Sequence, residues 1–273
     1  MSDIRITKSN EDRDVTNEVA SYTKSEAMHT IEESMRSIGI CIPKIMLPDH
    51  RVDLKKWAVV ACDQYTSQRS YWKSVEDDVA DTPSTLHMIF PEVYLEDEDK
   101  HQRILDISNT MTQYMEEGAL TTLPPSFVYV ERTLNTGIRK GLLMALDLEQ
   151  YNYQEGSQTL IRATEGTVLD RLPPRIAIRK DAVLEVPHIM VLIDDPEKTV
   201  IEPTSEHLLE ADKLYDFDLM MDGGHITGYQ VGSCAAIERI LKALTQLANP
   251  KTFQKKYDVD NDKGVLLFAM RDG

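Results

Sequence analysis

The sequence predicts an α+β protein, a mixed sheet with at least one antiparallel hairpin, flanked by helices. Three observations lead there. Residues 127–134 (FVYVERTL) alternate and are rich in strand formers, residues 141–148 are a second apolar run, and Asn135-Thr136-Gly137 between them is turn chemistry, so the pair reads as a hairpin. Ser233 precedes Ile237, Ile240, Leu241, Leu244 and Leu247 on one helical stripe, which Asn249-Pro250 ends. Helical and strand-like segments are mixed without a regular βαβ series.

Composition supports a folded chain. Of 273 residues, 41% are hydrophobic and 28% charged, which is enough apolar material for a core. The net charge of −16 argues against general nucleic-acid binding and against attraction to an anionic membrane, because both rest on basic faces. Three cysteines without a CxxC pattern point to a reducing compartment. The first thirty residues carry no signal-type apolar run, and no segment reaches the roughly 20 apolar residues of a membrane span. The expected location is cytoplasmic. The oligomeric state is not legible.

In chain order, residues 1–22 are polar and patternless and read as a mobile arm; residues 23–273 read as a single globular domain. Thr23 and Glu26 form a capping box, and Ala27, Met28, Ile31, Met35 and Ile38 predict a helix over 24–38 with Gly39 at its stop. Residues 40–47 and 57–61 (WAVVA) read as extended, the second as a strand buried on both faces. Thr66 or Ser67 is a candidate cap for a helix carrying Tyr71, Trp72 and Val75. Residues 85–90 read as a short strand. Ile104, Ile107, Met111 and Met115 predict a helix over 97–117, stopped by Gly118. Residues 189–193 read as a buried strand. Thr204 or Ser205 caps a further helix running toward Lys213. Residues 226–231 and 265–270 are strands, and a shorter helix covers about 250–257.

The candidate chemistry concentrates between residues 160 and 203. Residues 162–180 hold five basic side chains (Arg162, Arg171, Arg175, Arg179, Lys180) against two acids, Glu165 and Asp170, in an otherwise acidic chain. Arg171, Arg175 and Arg179 recur every four residues, so a helix across Pro173-Pro174 sets them on one face. Guanidinium groups grip phosphate or carboxylate through paired N–H donors. The competing expectation is that these arginines pair with the chain's own carboxylates.

Other constellations are weaker. Cys62-Asp63-Gln64-Tyr65 follows an apolar run, and Asp63 and Tyr65 are candidates to hydrogen-bond a ligand there. Cys62 is expected to be an inert core thiol. Gly223-Gly224-His225, Gly228 and Gly232-Ser233 offer either an anion-binding helix start or an ordinary hairpin turn and cap. Asp194-Asp195-Pro196 offers either a Mg²⁺ ligand pair or a turn. The seven histidines show no metal-ligand spacing, so no resident metal site is expected.

The segments IRATEGTVLDRLPPR and PHIMVLIDDPEKTVIEP, with WAVVACDQYTSQRSYW, LLMALDLEQY, YDFDLMMDGGHITGYQVG and VLLFAMRDG, resemble the uncharacterised family called domain of unknown function 1015. The matches cover most of the chain from about residue 40. The resemblance implies a distant relation to the ParB-like and sulfiredoxin-like fold, whose members include nucleotide-dependent enzymes and a free-serine kinase. It also implies a histidine-bearing segment beyond Asp272-Gly273, so this chain reads as a C-terminally shortened member.

Together these features frame two expectations. The first is a nucleotide- or phosphate-dependent enzyme, phosphotransferase-like, acting on a small anionic molecule with ATP or ADP and Mg²⁺. Arg162, Arg171, Arg175 and Arg179 hold phosphate, Tyr65 and Asp272 contact the ligand, and Glu165 or Asp63 acts as base or metal ligand. The second is a non-catalytic ligand-binding or interaction protein, or an inactive shortened member.

Overall fold

The computed structural model describes residues 29–271 except 167, 170, 171, 187 and 261–263. The expected arm over 1–22, the Thr23–Glu26 capping box, Arg171 and Asp272 lie outside the described residues.

The fold is α+β. Helix α1 covers described residues 29–37 and ends at Gly39, whose φ of +77° suits glycine. The hairpin forms as the turn chemistry predicts. β4 (Phe127–Leu134) and β5 (Gly137–Leu143) run antiparallel, with Leu134 opposite Gly137 across a two-residue loop. β11 (His225–Val231) pairs with the other side of β4, and β10 (Lys213–Asp218) with β11. This gives a four-stranded antiparallel sheet in the order β10-β11-β4-β5.

A second, mixed sheet joins distant segments. β8 (Ile161–Ala163) runs parallel to both β7 (Tyr151–Asn152) and β12 (Phe268–Met270), and β9 (Val191–Leu192) runs antiparallel to β12. Two small pairs complete the strands among the described residues: β1 (Ile40–Cys41) with β6 (Ala145–Leu146), and β2 (Met46–Pro48) with β3 (Leu120–Thr122).

Among the described residues, two apolar clusters form the interior. The first gathers Ile31 and Met35 of α1, Phe127 and Tyr129 of β4, Ile161 and Phe268 of the mixed sheet, and Ile237, Ile240 and Leu244. The last three belong to α7 (Cys234–Leu247), whose cap is Ser233, as its spacing predicts. α8 (Pro250–Tyr257) follows, capped by Asn249. The second cluster packs Trp72, Val75 and Val79 of α3 (Arg69–Val79) against Ile107, Met111 and Tyr114 of α4 (Lys100–Glu116), with Met88, Phe90 and Tyr94 between them.

Several segments differ from the sequence reading. Residues 57–61 are not a strand. Asp53 caps a short helix α2 (Leu54–Trp57) by accepting from Lys55 N, and the chain then runs irregularly. The backbone of that run finds side-chain partners: Trp57 O accepts from Thr85 Oγ1 at 2.7 Å and Ser84 Oγ at 3.3 Å, and Val59 N donates to Thr85 Oγ1 at 3.3 Å. Such bonds replace the ladder a strand needs. The same Ser84 caps a 3₁₀ turn over Thr85–Met88, where a strand was expected. α3 starts after Gln68 with no side-chain cap, so neither Thr66 nor Ser67 has the predicted role. Residues 189–193 yield only the two-residue β9 at a sheet edge, where Leu192 is 46% exposed rather than buried. Beyond Thr204, the expected helix is the single turn α6 (Glu202–Ser205) followed by a 3₁₀ turn at Glu210–Asp212. β10 was not anticipated.

Candidate functional site

The Pro173-Pro174 pair does not break the arginine helix. α5 (Leu172–Lys180) opens on it, which is where proline is tolerated because early helix N–H groups lack intrahelical acceptors. No residue of α5 is fully buried, but Ile178 packs against the second apolar cluster and Ser108 Oγ of α4 donates to Asp181 O at 2.6 Å. The helix therefore lies on the surface next to α4, presenting its basic side chains.

Arg175 meets the loop that follows the 57–61 run. Its Nη2 donates to Glu92 Oε1 at 2.8 Å, and Glu92 N donates to Cys62 O at 2.9 Å. The Glu92 side chain is only 8% exposed, whereas Arg175 is 39% exposed. The bond to Glu92 raises the Arg175 pKa; burial opposes it, and the charges of Glu92, Cys62 and Asp63 add to it. Asp63 and Arg175, two residues singled out in the sequence, thus act on each other electrostatically at one place. Cys62 is also there, but burial first, then the Asp63 and Glu92 charges, push its thiol pKa up despite Arg175. That environment disfavours a thiolate, so Cys62 is not an activated nucleophile.

The loop carrying these groups is tied down along its length. Gln64 N donates to Ala61 O at 3.0 Å, Gln68 N to Tyr65 O at 2.9 Å, and buried Trp72 Nε1 to Gln64 O at 3.2 Å. Tyr65 sits at φ +52°, an unusual conformation for a bulky residue, with 42% exposure. Its ring stacks on Tyr71 with centroids 3.9 Å apart and planes inclined by 20°.

The other predicted residues have surroundings of their own. Arg162 binds two loops together, donating from Nη1 to Ser157 O at 2.6 Å and from Nη2 to Gly264 O at 3.1 Å; burial lowers its pKa. Arg179 pairs with Glu185 on the surface. Glu165 is exposed in the bend after β8. The competing expectation for the arginines, pairing with the chain's own carboxylates, holds for both Arg175 and Arg179.

The glycine cluster has a packing explanation. A Cβ at Gly224 would lie 2.3 Å from Thr133 O, and one at Gly228 would lie 2.1 Å from Cζ of Tyr215, its cross-strand neighbour. Ser233 Oγ accepts from Ala236 N in an ordinary helix cap. A cavity of about 200 Å³ lies beside that cap, lined by Val200, Thr204, His207, Leu208, Ser233 and Arg239 among others; Gly232 and Ser233 of the glycine cluster reach it, while Asp63, Tyr65, Arg162, Glu165, Arg175 and Arg179 do not. Asp195 closes a turn by accepting from Thr199 N at 2.7 Å and Val200 N at 2.8 Å, and Asp194 pairs with Lys256. Neither resembles a cation site, and no group of three or more His, Cys, Asp or Glu among the described residues could hold a metal.

Sequence reasoning missed Glu92, the carboxylate that fixes Arg175. The available signal was a lone acid inside the apolar stretch Ile89–Leu95, where a charge needs a partner. It also missed the Asp216–His225–Asp218 set on the exposed face of β10 and β11. There His225 Nδ1 is 2.8 Å from Asp218 Oδ1 and Nε2 is 2.6 Å from Asp216 Oδ1. The bond to Asp218 and then that to Asp216 raise the imidazole pKa.

No helix among the described residues is long and apolar enough to cross a membrane. No curated protein and no solved structure matches the chain significantly. A family model described as "Protein of unknown function (DUF1015)" matches residues 45–266, a span that takes in the Cys62–Tyr65 loop, Glu92 and Arg175, and the chain belongs to that family.

Proposed function

We propose that this protein binds a small phosphate-bearing anion at the surface formed by Asp63, Glu92 and α5, with Arg175 as the principal contact. The observation that supports this reading is the half-exposed Arg175 guanidinium held from behind by a nearly buried carboxylate. A guanidinium has five N–H donors, and Glu92 takes one from Nη2, which leaves donors for an outer anion. A side chain already fixed in place loses little freedom on binding, so its hydrogen bonds translate more fully into affinity.

The catalytic form of the proposal is nucleotide-dependent phosphoryl transfer. Arg175 neutralises the phosphate, and Asp63 accepts the proton of an attacking hydroxyl. Mg²⁺ arrives on the nucleotide, since that ion typically keeps its waters and takes one or two carboxylates plus phosphate oxygens. A second reading, a binding protein without turnover, is favoured by the charge pairing of Arg175 and by the raised Cys62 thiol.

A thermal-shift series with inorganic phosphate, pyrophosphate, ADP and ATP, each with and without Mg²⁺, tests the binding claim. A ligand that binds only the native state raises its apparent stability. The expected outcome is a concentration-dependent rise with at least one of these, lost in Arg175→Ala. Equal midpoints with every ligand would remove the proposal. Phosphate release from ATP separates the two readings.

A further inference from the structure

The Cys62–Gln68 loop holds more than the anion contact. Tyr65, Tyr71 and Trp72 form an aromatic column running from the core to the surface. Trp72 is fully buried, Tyr71 meets it edge-on at 5.6 Å and 88°, and Tyr65 lies flat on Tyr71. With one face covered by Tyr71, the exposed area of the Tyr65 ring lies on its edges and its other face. An exposed flat ring held this way is a ready surface for a second flat ring.

Two further facts separate this from an incidental surface tyrosine. The backbone is held in the left-handed region at Tyr65, a conformation that costs free energy for any residue with a Cβ and that clusters at binding sites. The loop is also fixed by its own hydrogen bonds and by Trp72, so the ring is presented rather than waving. Tyr65 is three residues from Cys62, whose carbonyl accepts from the N–H of Glu92, the carboxylate bonded to Arg175, and three residues span at most about 11 Å. The anion contact and the aromatic face therefore belong to one short stretch of surface.

We infer that the ligand of this site is a nucleotide, its base stacked on Tyr65 and its phosphates at Arg175. The inference rests on the anion-site reading and adds the base-binding face that makes a nucleotide its ligand. It excludes inorganic phosphate and sugar phosphates as the preferred ligands, because neither carries an aromatic ring to stack on Tyr65.

The test is calorimetric titration of ADP, ribose 5-phosphate and pyrophosphate into wild type, Tyr65→Phe, Tyr65→Gly and Arg175→Ala. ADP is expected to bind wild type about tenfold more tightly than either base-free ligand, the scale of one base–aromatic stack. Tyr65→Phe retains that advantage. Tyr65→Gly abolishes it and leaves pyrophosphate affinity unchanged. Glycine also relieves the left-handed backbone, so a retained unfolding midpoint shows that lost ADP binding is not misfolding. Arg175→Ala weakens all three ligands. If pyrophosphate binds through Arg175 but ADP binds no better, or if Tyr65→Gly leaves ADP affinity intact, the nucleotide assignment is overturned while the anion site stands. If none of the three binds, both fall.

Discussion

Replacing Glu92 with Gln tests the pair on which the site is built. The substitution keeps the shape and one acceptor oxygen but removes the charge behind Arg175. At 2.8 Å, with the acceptor 8% exposed and the donor 39% exposed, the bond lies between a surface pair and a buried one. Surface pairs contribute ~0–1 kcal/mol and hydrogen bonds to charged groups ~1.5–3 kcal/mol, so a loss of about 1–2 kcal/mol is expected once the retained neutral bond is allowed for. For a chain of this size that is a fall of roughly 2–8 °C in the unfolding midpoint. Urea unfolding followed by far-UV circular dichroism measures it, on wild type, Glu92→Gln, Arg175→Gln and the double variant. The two single losses should not add, with a coupling of at least about 0.5 kcal/mol. Strict additivity would show that the two side chains do not act as a unit, and Arg175 would then lack the fixed backing that the anion-site reading relies on.

Three further outcomes are expected elsewhere in the chain. Gly224→Ala should be far more destabilising than Gly141→Ala, by roughly 1–3 kcal/mol in denaturant unfolding, because a Cβ at Gly224 meets a backbone oxygen at 2.3 Å and its φ is positive, while one at Gly141 meets nothing within 4 Å. His225 has a raised pKa and Asp216 and Asp218 lowered ones, so the His225 contribution is present below its ordinary value of 6.5 and fades as pH rises through the raised value, while the aspartates' contribution is lost as pH falls below their ordinary 3.8. An NMR titration should place the His225 imidazole above 6.5, and His225→Gln should flatten the stability profile just above neutral pH. Cys62, its thiol pushed up mainly by burial, should alkylate with iodoacetamide at pH 8 more slowly than a free cysteine, as read by peptide mass spectrometry.

The parts of this fold that sequence showed are those decided by local pattern. The β4–β5 hairpin follows from alternation and a two-residue turn, and α7 follows from Ser233 and a stripe of Ile237, Ile240, Leu241 and Leu244 that the structure buries. β10 was equally readable from Tyr215 and Phe217 alternating with Asp216 and Asp218, although aspartate is depleted in strands. The 57–61 run was misread for a different reason. Its backbone partners are the hydroxyls of Ser84 and Thr85, some 27 residues away, and periodicity says nothing about hydroxyls at that distance.

The site divides in the same way. Arginine spacing located α5 and set Arg175 and Arg179 on one helix. It did not reveal that Glu92, 83 positions earlier, would hold Arg175 in place, or that Arg162 would be spent on the carbonyls of Ser157 and Gly264. Composition marks where charge gathers, and only tertiary packing determines which charges meet. Tyr65 shows the converse. Its position near Asp63 was legible, whereas its left-handed backbone and its stack on Tyr71 follow from the turns on either side.

The central claim is that Arg175 receives an anion from solvent while Glu92 holds it from behind. Calorimetric titration of pyrophosphate into wild type and into the Glu92→Gln/Arg175→Gln double variant tests it most directly, because paired amides retain a hydrogen bond and leave the net charge unchanged. Loss of charged hydrogen bonds of ~1.5–3 kcal/mol predicts affinity at least about tenfold weaker in the double variant, with its far-UV circular dichroism unchanged. Equal affinity in the two proteins would contradict the account.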